Sequence, residues 1–372
     1  MPMRWGLWFE DLPIRTTIAD TITQGLIEAR SAQLPIIEGR LLVASALYRW
    51  RYESSDRVAL EEGLTAGREA LAIGERVNRP TLRSAAMDAI AVLLLALGRY
   101  AEARDLAGRR LELALPEGSG REERMDACSQ AAQTRTLVGD YAGAVRAGEQ
   151  AGEPGADEEA HWQARPVLDV AEALFYWDRW EPALRAYERY LALYRRSGGR
   201  RAGKAPARAS GIAAAIYLLR GEPERAEELE QRLGYVPVSE FHPVVALALV
   251  GRGEPELALD QLRHLATMRP NALAVRAEAL AMVGRWDQFD AALADAVAAP
   301  GIEQLPRVMA QLDRARGIAG DEAALDRATR AFADLGCRFE RARCLELAGD
   351  VVAAREEYER LGAIPALERA GV

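Results

Sequence analysis

Cysteine is nearly absent from this chain: Cys128, Cys337 and Cys344 are three among 372 residues. An odd, scattered set lays down no disulfide framework and fits a reducing compartment. Lysine is scarcer still, with Lys204 alone among 48 basic residues. Aromatics make up 6% of the chain, and the abundance of alanine, leucine, arginine and glutamate favours helix over sheet. No run approaches the roughly 18 consecutive apolar residues that span a bilayer. The opening MPMRWGLWFEDLP is too short and too acidic for a secretory signal. These absences predict a cytoplasmic protein with no membrane partner. A formal charge of −8 lacks the basic balance of a general nucleic-acid binder, so no direct nucleic-acid contact is expected.

Catalytic and metal-binding patterns are missing as well. His161, His242 and His264 are far apart, and none has a second ligand one helical turn away. Cys337 and Cys344 share a helix face without a third ligand, and with Cys128 they read as small core residues. No nucleophile elbow, zinc-protease motif or Ser/His/Asp set occurs. Gly198, Gly203 and Lys204 match the spacing of a phosphate-binding loop, but Ala205 stands where a magnesium-binding hydroxyl is needed. A helical stretch, YERYLALYRR, precedes that segment and Pro206 follows it, so a solvated basic linker is the expectation. Carboxylates beside arginines, as in REERM, GEPERAEELEQR and AAREEYER, read as exposed helix faces. The chain is therefore not expected to be an enzyme: no catalytic residue, no cofactor and no metal ligand is assigned.

What is present is a repeat. A turn, then an aromatic or proline, then alanine recurs as LGRYAEA, VGDYAGA, YWDRWEPA, RGEPERA, RGEPELA, VGRWDQF, AGDEAAL and AGDVVAA. The turn residues are Gly98, Gly139, Asp178, Gly221, Gly253, Gly284, Gly320 and Gly349, spaced 29 to 43 residues apart. That period with helical flanks marks stacked helical hairpins. The glycine ends a first helix at positive φ. The aromatic (Tyr100, Tyr141, Trp180, Trp286) packs over the turn, and alanine (Ala103, Ala144, Ala183, Ala226, Ala258) lets the second helix approach. In the segment Ser84 to Pro116, Met87, Ile90, Ala91 and Leu94 share a face. Between Ser239 and Pro270, His242, Val245, Ala246 and Leu249 share a face of one helix, and Ala258, Leu262, Leu265 and Ala266 share a face of the next. Proline at the end of a unit stops the helix before it.

This pattern, over roughly residues 36 to 366, resembles a tetratricopeptide-repeat array, with departures such as Arg276 in a leucine slot and Glu322 in an aromatic one. The fold expected is an all-α, right-handed superhelical solenoid of about 8–9 antiparallel hairpins. Its divisions would be an N-terminal half-repeat or cap (1–35), a first run of repeats (36–197), the basic loop (198–207) and a second run (208–372), forming one continuous solenoid. The tail LGCRFERARCLELAGDVVAAREEYERLGAIPALERA is similar to the closing repeat of MalT-like and cyclase-linked bacterial signalling ATPases. In that family a DNA-binding helix-turn-helix can follow, and none is expected here because the chain stops at Val372. Near the start, Ile18, Ile22, Leu26 and Ile27 form the stripe of an amphipathic helix over Ile14 to Arg30. Trp5, Leu7, Trp8 and Phe9 form an apolar cluster that either caps the first hairpin or docks on another protein.

In tetratricopeptide arrays the first helix of each hairpin lines a concave groove. The resemblance carries that role to Asp126, Ser129, Gln133 and Thr136, then to Arg165, Leu168, Glu172, Phe175 and Tyr176, then to Arg208. Phe175 becomes core instead if the frame slips by one. The function implied is a non-catalytic scaffold binding a protein or peptide segment, in bacterial signalling or transcriptional regulation. The alternative is the effector-sensing part of a split NTPase- or adenylate-cyclase-type regulator, with that module as partner. A stand-alone enzyme is the reading with least support.

Overall fold

The computed structural model describes residues 15–113, 121–152, 160–196, 204–233, 238–263, 265 and 269–371. Among these, twenty α-helices and one short 3-10 turn occur, with no strand. The expected all-α array of antiparallel hairpins is what the structure shows. The contacts divide it into two units, Met1–Thr134 and Arg135–Val372. The division falls inside a helix and not at the basic loop.

The first unit holds α1 (Arg15–Ser31), α2 (Pro35–Tyr52), α3 (Arg57–Arg76), α4 (Pro80–Ala96), α5 (Tyr100–Leu111) and most of α6 (Arg121–Leu137). Each helix packs on the next as far as α5, and α2 also lies beside α4. The core is built from Leu42, Leu47, Leu64, Met87, Ile90 and Leu93. Ile22 of α1 is buried, but Ile27 is exposed and lies off the predicted stripe.

The second unit runs through α7 (Tyr141–Glu149), α8 (Ala160–Tyr176), α9 (Trp180–Arg196), α10 (Lys204–Leu219), α11 (Pro223–Leu233), α12 (Val238–Arg252) and α13 (Pro255–Leu262). It continues with α14 (Pro270–Met282), α15 (Trp286–Val297), α16 (Pro306–Ile318), α17 (Glu322–Asp334), α18 (Arg338–Leu347), α19 (Val351–Leu361) and α20 (Ile364–Gly371). The hairpins are α8/α9, α10/α11, α12/α13, α14/α15, α16/α17 and α18/α19, and their first helices α8, α10, α12, α14 and α16 stand in a row.

Local chemistry explains these elements. At Gly98 (φ 76°) the Arg99 N–H reaches back to the Leu94 carbonyl, an αL termination that glycine makes without Cβ strain. The alanines Ala103, Ala144, Ala183 and Ala258 are fully buried. A side chain the size of leucine there would push the paired helices apart. Pro35, Pro80, Pro255, Pro270 and Pro306 each begin a helix, where the missing N–H costs nothing. Proline thus opens the next helix here as much as it closes the last.

Three expectations need correction or placing. Lys204–Ala207 belong to the first turn of α10, so the basic loop is shorter than 198–207, and Pro206 sits early enough in the helix to be tolerated. Trp286 lies near the Gly284 turn but remains 48% exposed, unlike the buried Tyr100, Tyr141 and Trp180. The N-terminal aromatics, Gly198 and Gly203 lie outside the described residues. Cys128, Cys337 and Cys344 are buried, and burial pushes the Cys128 thiol up to about 11.

Candidate functional site: buried polar seams on the inner helices

Charged and polar side chains form two buried networks, one in each unit. In the first unit, Arg110 from the last turn of α5 is enclosed between α4 and α6. Its Nε donates to Ser84 Oγ at 3.1 Å and its Nη1 to Asp88 Oδ1 at 2.9 Å. Its Nη2 donates to Asp126 Oδ2 at 2.6 Å and to Glu123 Oε2 at 3.2 Å. Gln130 closes the set, donating to Asp88 at 2.9 Å. Glu123 comes from the REERM stretch and is buried, which corrects the expectation of an exposed helix face there. A guanidinium offers five fixed donors, which is why one arginine can hold partners from two helices.

In the second unit the centre is Glu278 on α14. Arg314 of α16 grips it with two parallel bonds, and Arg343 of α18 donates to Oε1 at 2.7 Å. Gln311 donates to its Oε2 at 2.9 Å. Glu340 of α18 takes Arg314 Nη1 at 2.6 Å and lies 3.6 Å from Arg307. Burial would raise both carboxyls, but Arg314 and Arg343 overcome it. Glu278 is held below the ordinary range, and Glu340, with Arg307 added, is pulled down to about 2. The same carboxylates keep Arg314 charged, raising its pKa against its burial.

The network runs on to the turn between α8 and α9. Arg307 lies over the Tyr176 ring at 4.5 Å, and burial, with Glu172 next, pushes the Tyr176 phenol up to about 12. Asp178, at the turn, accepts the Phe339 N–H at 2.8 Å. Burial, with the charge of Glu340 next, raises the Asp178 carboxyl. Phe175, Tyr176, Asp178, Leu219, Leu247, Arg307, Phe339 and Glu340 line a cavity with room for about one water.

The sequence-derived groove residues fall into three groups. Arg208 donates to Asp169 Oδ1 at 2.5 Å and makes a second contact with Glu172, so two of the expected residues meet directly on neighbouring first helices, with Tyr176 one turn beyond Glu172. Gln133 and Arg165 are half-buried. Asp126, Ser129, Thr136, Leu168 and Phe175 are buried and present no groove surface. Phe175 is core, as the alternative frame has it. The Arg110 and Glu278 networks were missed, because their partners lie up to 65 residues apart and carry no local pattern.

No protein-family model matches this chain, and no curated protein matches it. Among solved structures, a TPR domain of P58(IPK) is similar at 15% identity, with 87% of this chain and 96% of that chain covered and a TM-score of 0.21. At so low a score the fold rests on the hairpins described above. Among the described residues no helix is long and apolar enough to cross a membrane.

Proposed function

We propose that the chain is a non-catalytic scaffold that binds a protein segment through the half-buried polar strip of the second unit. The observation that carries this reading is the Asp169–Arg208–Glu172 cluster, held on two adjacent first helices with Tyr176 beside it. An arginine shared by two carboxylates on neighbouring helices holds its partners in a set geometry. A strip so fixed recognises charged and aromatic side chains without first ordering itself, which lowers the cost of binding. The resemblance of the tail to signalling ATPases supports a cytoplasmic bacterial regulator, with an NTPase or cyclase module as the first partner to test.

The test uses Arg208→Ala and Glu172→Ala in the full chain. Capture of a purified candidate module should weaken at least about tenfold in each variant, at unchanged helicity. Equal capture by wild type and both variants overturns the strip as the binding surface.

A further inference from the structure

Seven of the eight recurrent turns carry glycine at the αL position; the eighth carries Asp178, with φ 55°. A non-glycine residue there costs conformational energy, although aspartate is among the residues that tolerate it best. The turn itself is ordinary: the Arg179 N–H bonds the Leu174 carbonyl at 2.8 Å, as at the glycine turns. The side chain is what differs. Its carboxylate reaches the second residue of α18, 161 positions along the chain, and accepts the Phe339 N–H. That amide is one of the donors a helix leaves unpaired at its start. The helix is therefore capped from another repeat.

Other contacts join the same two turns. The Cys337 thiol donates to the Tyr176 carbonyl at 3.2 Å. The Trp180 and Phe339 rings lie 5.4 Å apart. Gly336 is so close to Trp177 that a Cβ would approach its indole nitrogen to 2.9 Å. The geometry points to a latch: the turn at 176–180 clasps the turn at 336–340 and shuts the second unit over its inner polar seam. Opening it would bare Tyr176, Arg307 and Glu340, so Asp178 gates access to the seam. The latch stands or falls apart from the partner-binding proposal.

Hydrogen exchange on the full chain tests it, comparing Asp178→Gly with Asp178→Asn. Glycine keeps the αL turn and removes the cap; asparagine keeps a carbonyl acceptor and tolerates αL. In Asp178→Gly, amides in 173–182 and 335–347 should exchange at least about tenfold faster, while those of α15 and overall helicity stay unchanged. Asp178→Asn should exchange like wild type. Unchanged exchange in Asp178→Gly overturns the latch. So does acceleration spread evenly over the unit, and so does an asparagine variant as fast as the glycine one.

Discussion

Arg314 and Glu278 meet through two parallel N–H···O bonds of 2.8 and 2.9 Å, and neither side chain is exposed to solvent. Each also serves other helices. Glu278 receives Arg343 and Gln311, and Arg314 reaches Glu340. Removing one member therefore strands several. Glu278→Ala would leave two buried guanidiniums without their principal carboxylate, a loss of about 3–5 kcal/mol. Urea unfolding followed at the aromatic residues of the second unit measures it. A loss below about 1 kcal/mol would show that water or rearranged partners replace the carboxylate.

Acid should weaken the same network. Glu278 and Glu340 have native pKa values below those of the unfolded chain, so their contribution is complete above the ordinary glutamate range. It is lost as pH falls from about 4.5 toward about 2. Asp178 works in the opposite sense: its raised native value makes it a cost that acid relieves. Glu102 and Glu346 are depressed as well, so four depressed carboxyls against this raised one should leave a net loss of stability in acid. Thermal melts across that window check the sign, and Glu340→Gln should flatten the dependence.

Arg110 gives the first unit its own weak point. Arg110→Ala would leave Asp88, Glu123 and Asp126 buried without their shared cation, at a cost of about 3–5 kcal/mol. Exchange at α4 should rise strongly in this variant. A milder effect is expected from Arg110→Ala with Glu123→Gln and Asp126→Asn added, since fewer bare charges remain, and equal losses in the two proteins would argue against charge as the cause.

Gly98→Ala tests the turn chemistry. Its φ of 76° puts a new Cβ in the αL region, which costs roughly 1–2 kcal/mol. Denaturant unfolding of the first unit should shift by that amount, whereas Gly25→Ala, inside a helix, should not show the αL penalty.

The turns were the most legible part of the fold. All eight residues singled out, Asp178 included, have positive φ. The turns before α2 and α4 escaped because Gln33 and Asn78 take the αL position there without glycine. Core alanines and the Met87/Ile90/Leu94 stripe were readable because helical spacing alone places them on one face. Buried charge was not readable. Glu123 in REERM and Glu340 in FERARC look like any solvated helix glutamate, and only a distant guanidinium makes the difference. Phe175 and Tyr176 show the limit for site residues: one step of helical phase separates core from seam, and sequence spacing leaves that step open.

The three sequestered thiols offer a consequence of practical use. Cys128 belongs to one unit, while Cys337 and Cys344 belong to the other. Desolvation holds all three in the unreactive protonated form. An alkylating reagent should therefore leave the native chain untouched and mark each unit only as it unravels. Mass spectrometry of the modified peptides would then time the loss of each half separately, with no engineered probe.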